Sequence, residues 1–88
     1  MEEQRVVVKH ADMTAEMIEH AVNAGVYAMD QYDNDKDMAT YLKQEFDTCY
    51  KRSWHCVVGR SFGSNVSHEG NNFIYFFVKD RAFLLFKT

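Results

Sequence analysis

Apolar positions change their period twice along the chain. Val6, Val7 and Val8 form a β-branched run within Arg5–Lys9, which predicts a short strand. Ile18, Ala21, Val22, Gly25, Ala28, Met29 and Tyr32 then recur at helical spacing, with Thr14 placed to cap the helix and Glu16 and Glu19 near its positive end. Gly25 costs this helix about 1 kcal/mol against Ala, so close approach of another backbone is expected there. Asp33-Asn34-Asp35 reads as a turn and a cap. A second helix to about Tyr50 follows, with Met38, Leu42, Phe46 and Cys49 facing inward and Lys51-Arg52-Ser53 ending it.

Beyond this point the period is that of strands. In Trp54–Val58, Trp54, Cys56 and Val58 share one face, and His55 and Val57 the other. Gly59, Arg60 and Ser61 lead into Phe62–Ser67, a second strand with little apolar area and Gly63 inside it. Its backbone groups need partners, and a strand from another chain is the expected one. Glu69-Gly70-Asn71-Asn72 reads as a turn, and Phe73–Val78 and Ala82–Phe86 as strands joined by Lys79-Asp80-Arg81. These two runs are almost continuously apolar, as expected of strands covered on both faces. Two helices cover one face, and a second copy of the sheet in a symmetric dimer covers the other.

Composition narrows the classes. Eighty-eight residues make one domain, residues 1–88. A chain this short buries only about 60–65% of its unfolded surface. Seven Phe, five Tyr and one Trp supply a dense apolar core in compensation. A net charge of −3 without a basic patch argues against nucleic acid. Met1-Glu2-Glu3 lacks the character of a signal peptide, and Phe73–Val78 is too short to span a bilayer. A cytosolic protein without membrane insertion is expected, with Cys49 and Cys56 as reduced core residues.

Candidate chemistry is sparse. His55 and Cys56 point to opposite faces of one strand, so they form no dyad with each other. Cys49, Cys56, His55 and His68 lack zinc-site spacing. Gly59-Arg60-Ser61-Phe62-Gly63-Ser64 lacks the lysine and following helix of a phosphate loop. No catalytic residue, metal or cofactor is expected. The first turn of the second helix, Asp35-Lys36-Asp37, offers free N–H groups to a polar ligand, or is ordinary capping.

Trp54–Ser64, reading WHCVVGRSFGS, resembles the signature of the small cytoplasmic dynein light chain family. His10–Met13 resembles the start of that family's first helix, Asp35–Asp47 its second helix, and Asn72–Lys87 its last two strands. The resemblance implies an α+β fold, two helices on an antiparallel sheet, assembled as a strand-exchanged two-fold homodimer. Phe62–Ser67 would pair with the partner's sheet, and each of two grooves would lie between this strand and the second helix of the other chain. A disordered segment with a Thr-Gln-Thr-like core, such as that of the dynein intermediate chain, would add there as a strand, its glutamine capping the helix. Implied peptide-binding residues are Lys9, Asp12, Asp35, Lys36, Arg60, Ser61, Phe62, Gly63, Ser64, Asn65, Val66, Ser67, His68, Phe73, Tyr75 and Phe77. Implied interface residues are His55, Gly59, Ser61 to Ser67 and Thr88. Charging His55 in that interface is expected to split the dimer in mild acid. The role implied is a non-catalytic hub of the dynein microtubule motor, cytoplasmic and cytoskeleton-associated. A structural dimer without a groove ligand, or a small His/Cys enzyme or metal protein, are the competing readings. Asn65, Ser67, Phe77 and Arg52 depart from the family's usual tyrosine, threonine, tyrosine and proline, the first three at or beside the groove.

Overall fold

The computed structural model describes residues 5–60 and 72–87. The chain runs β1 (Val6–Asp12), α1 (Ala15–Gln31), α2 (Asp35–Tyr50), β2 (Trp54–Gly59), β3 (Phe73–Val78) and β4 (Arg81–Lys87). The strands form one antiparallel sheet in the order β1-β3-β4-β2. Two helices on an antiparallel sheet is the architecture that the apolar periods predict. The expected strand Phe62–Ser67 lies outside the described residues.

Local chemistry sets the helix ends. Thr14 accepts the Met17 N–H and starts α1. His10–Met13 therefore does not open that helix: His10, Ala11 and Asp12 continue β1, paired with Tyr75, Ile74 and Phe73. Asn34, not Asp35, caps α2, its Oδ1 taking the Asp37 N–H at 2.8 Å. At the other end Asp47 fastens β2 to α2. Its carboxylate accepts the Trp54 N–H at 2.8 Å and the Lys43 ammonium at 2.6 Å. These bonds, the Lys43 one foremost, hold the Asp47 carboxyl below its usual range.

The core lies between the helices and one sheet face. Ala21, Ala24 and Ala28 of α1 and Met38, Leu42 and Phe46 of α2 meet Trp54, Ile74, Phe76, Val78, Phe83 and Leu85. Phe46 stands edge-on to Trp54 with ring centroids 4.9 Å apart. Gly25 does admit a close neighbour, but it is a ring rather than a backbone: a Cβ there would lie 2.7 Å from Phe76 Cε2. Cys49 is exposed rather than inward, because Met38, Leu42 and Phe46 fill the inner stripe of α2. Cys56 does point inward, and burial pushes its thiol up to about 12. The chain turns between β3 and β4 at Lys79-Asp80 alone, with Lys79 in the left-handed region (φ 56°), so Arg81 belongs to β4.

Candidate functional site

Register fixes what the other sheet face carries. Side chains alternate along each strand, so the residues beside buried ones point away from the helices. That outer face comprises His55 and Val57 of β2, Ala82, Leu84 and Phe86 of β4, Phe73, Tyr75 and Phe77 of β3, and Val7 of β1. Phe73, Phe77, Leu84 and Phe86 are half-buried, and Val7 and Val57 stand 42% and 46% exposed. Among the described residues no element packs on this face. A sheet meant for water on that side would carry polar residues there. His55 is exposed on this face, as its alternation with Trp54 and Cys56 requires, and stacks on Phe86 with centroids 5.3 Å apart.

The candidate peptide-binding residues fall into two groups. Lys9, Asp12, Phe73, Tyr75 and Phe77 gather at the β1–β3 side of the outer face. Asp12 sits opposite Phe73, His10 opposite Tyr75 and Val7 opposite Phe77. Lys9 occupies the irregularity between Val8 and His10 where the register shifts. With Val7, Phe77 and Lys79 it lines a depression of about 270 Å³. Tyr75 and Phe77 touch edge-on at 5.5 Å between centroids. Lys79 and Val7 belong to this hollow but escape the sequence pattern, which holds no signal for the register that brings them there.

The second group stands across the sheet. Asp35 and Lys36 begin α2. Because the Asn34 side chain takes the Asp37 N–H, those of Asp35 and Lys36 are left without an intrahelical acceptor. Arg81 Nε donates to Asp35 Oδ1 at 2.9 Å, and Arg60 Nη1 to Asp80 Oδ2 at 3.0 Å. Arg81 Nη1 also lies 3.5 Å from Asp80 Oδ1. Arg60, Asp80, Arg81 and Asp35 thus form one charged chain from the end of β2 to the start of α2. Asp80 and Arg81 are further residues of this region that the sequence pattern does not single out.

Within one chain the two groups do not meet, because the sheet separates the outer face from α2. Gly59 ends β2, an edge strand whose only partner among the described residues is β4. Ser61, Phe62, Gly63, Ser64, Asn65, Val66, Ser67, His68 and Thr88 lie outside the described residues. His55 and Cys56 form no dyad with each other. Cys56 faces the helices and His55 the opposite side, while the raised Cys56 thiol supplies little thiolate near neutral pH.

The dynein light chain type 1 family model matches residues 5–88. A Schistosoma mansoni dynein light chain is 52% identical over 88 residues, covering 100% of this chain and 99% of that one. Among solved structures, the dynein light chain-like domain of the Fasciola hepatica calcium binding protein FhCaBP2 superposes with a TM-score of 0.81. It is 24% identical, covering 98% of this chain and 93% of that one. The DLC like domain of CsTAL3 gives 0.79 at 17% identity, covering 94% and 92% of the two chains. At these identities the structural likenesses speak for the fold. No described helix is long and apolar enough to cross a membrane.

Proposed function

The chain belongs to the dynein light chain family, and on that premise we propose that it is a non-catalytic homodimeric hub that binds short linear motifs in two grooves between its subunits. The observation that carries this reading is the apolar outer sheet face, where β3 and β4 present half-buried Phe77 and Leu84 and β2 the exposed Val57, and on which no described helix packs. A second copy related by a two-fold axis covers such a face with its own like surface. Phe62–Ser67 of each subunit then adds to the partner's open β2 edge, beneath the partner's α2.

This arrangement joins the two residue groups that one chain keeps apart. Phe73, Tyr75 and Phe77 of one subunit, with its Phe62–Ser67 strand, form one wall. The first turn of the partner's α2, with Asp35 and Lys36, forms the other. An extended segment pairs its backbone with the exchanged strand, and its glutamine carbonyl accepts the unclaimed N–H groups of that turn. Backbone pairing gives affinity, and pockets for alternate side chains give selectivity. Asn65, Ser67 and Phe77 set a preference different from that of a groove lined by tyrosine and threonine. Two equivalent grooves favour ligands that present two motifs, since the second binding is intramolecular. The partners of this reading are the dynein intermediate chain and other cytoplasmic proteins with disordered Thr-Gln-Thr-like segments.

Calorimetric titration with a Thr-Gln-Thr peptide tests it. One peptide per subunit is expected, with weakened binding for Gly63→Ala, whose added methyl stands where the peptide backbone approaches. Absence of binding by the wild-type dimer would overturn the groove, and unchanged affinity in Gly63→Ala would overturn its placement on that strand.

A further inference from the structure

On the helix side, far from the proposed groove, α1 and α2 bring together His20, Glu45 and Cys49. Their donor atoms lie within 4.8 Å of one another. Glu45 and Cys49 are one turn apart on α2 and so share a face, while His20 reaches them from α1. His20 Nε2 is 3.0 Å from Glu45 Oε2. Its other nitrogen, Nδ1, is 2.9 Å from the hydroxyl of Tyr50. The imidazole is further held by Phe46, with centroids 4.9 Å apart, and by Tyr50, at 5.5 Å.

We propose that His20 Nε2, Glu45 Oε2 and Cys49 Sγ form a site for a zinc-like divalent transition ion that clamps α1 to α2. The donor set carries the choice of ion. Thiolate and imidazole suit Zn²⁺ or Co²⁺, whereas Ca²⁺ and Mg²⁺ want oxygen donors throughout. Geometry is close to that required. Bonds of about 2.0–2.3 Å in a tetrahedral site place donors roughly 3.3–3.8 Å apart. His20 and Glu45 already satisfy this range within a few tenths of an ångström. Cys49 has to close at most about 1 Å, a movement that staggered rotamers allow an exposed side chain. The site also has the support that a metal-binding histidine needs. With the ion on Nε2, Tyr50 Oη is placed to accept from Nδ1–H, which holds the ring with its Nε2 lone pair toward the ion. On binding, the Cys49 thiol proton leaves to solvent and the imidazole proton moves from Nε2 to Nδ1, so one proton is released per ion. Three protein donors leave the fourth position to water.

Titration of Co²⁺ into reduced, chelator-treated protein tests the site. One ion per chain is expected, with a thiolate-to-cobalt charge-transfer band in the near ultraviolet that Zn²⁺ abolishes and Ca²⁺ does not. Cys49→Ala and His20→Ala should each lose the band. Tyr50→Phe should keep it with about 10–100-fold weaker binding. Zn²⁺ should also slow alkylation of Cys49, which is read without any variant; Cys56 is shielded and its thiol raised, so Cys49 dominates that signal. Peptide affinity should be unaffected, since the cluster lies about ten residues, or roughly 15 Å, along α2 from Asp35. No band in the wild type, a band that survives Cys49→Ala or His20→Ala, or alkylation indifferent to Zn²⁺ would overturn the site and leave an ordinary His20–Glu45 pair beside a bystander thiol.

Discussion

Replacing Gly25 by alanine tests how tightly α1 is seated on the sheet. In an isolated helix this change is favourable by about 1 kcal/mol, because glycine loses more backbone freedom than alanine on ordering. Here the new methyl carbon would lie 2.7 Å from Phe76 Cε2, 2.9 Å from Phe76 Cζ and 3.5 Å from Val78 Cγ2. Carbon atoms pack comfortably at about 3.5–4.0 Å, so the ring must retreat by most of an ångström. Phe76 has little room to do so. It is fully buried and stacked nearly parallel on Phe83, with centroids 5.1 Å apart and planes 12° apart. Overpacking of this kind costs about 1–3 kcal/mol. Set against the helix gain, the net loss is up to about 2 kcal/mol, which lowers the melting point of a domain this size by roughly 4–8 °C per kcal/mol. Urea unfolding at one protein concentration, read by the single tryptophan Trp54, measures the change. In a Phe76→Leu background, which lacks the offending ring carbons, Gly25→Ala should instead stabilise. A Gly25→Ala protein about 1 kcal/mol more stable than wild type would refute the close approach.

Two further outcomes are expected. His55→Lys places a permanent charge on the apolar outer face beside Phe86 and should give a folded monomer at neutral pH; a variant that sediments as a dimer at micromolar concentration would contradict the assignment of that face to the interface. Asp47, whose carboxyl lies below its ordinary 3.8, contributes stability that is fully present above the unfolded value and lost as pH falls through the folded one. The stability gap between wild type and Asp47→Asn should therefore narrow below about pH 4, and urea midpoints at pH 5 and pH 3 that differ by the same amount in both proteins would exclude the carboxylate's role.

The order of helices and strands was readable because each element carries a clear period. Thr14 and the apolar stripe of α1 fixed that helix, and the alternation around Trp54 put His55 on the outer face. The misreadings arise where tertiary contacts decide. The triplet Asp33-Asn34-Asp35 offers three good caps, and only the path of the chain selects Asn34. Cys49 shares the helical period of Phe46 and Leu42, yet it lies at the exposed margin of the α1–α2 seam, beside His20, and meets solvent. His10 and Asp12 read equally as helix or strand until β3 supplies hydrogen bonds. The Arg60–Asp80–Arg81–Asp35 chain joins residues 20 and 46 positions apart, and no local pattern encodes that approach. The same holds for His20 and Cys49, which are brought together by the rotation of one helix against another.

Complementation between two damaged subunits tests most directly whether each groove is built from both chains. Asp35→Pro removes one donor from the first turn of α2, where proline's fixed φ is tolerated. Phe77→Ala removes part of the opposite wall. Each variant, checked as a dimer by sedimentation, should bind the Thr-Gln-Thr peptide weakly. Mixing equal amounts under subunit exchange makes half of the dimers heterodimers, each with one doubly damaged and one intact groove, so about a quarter of all grooves should regain wild-type affinity. A mixture that binds no better than its two components would place both walls in a single chain and contradict the shared groove.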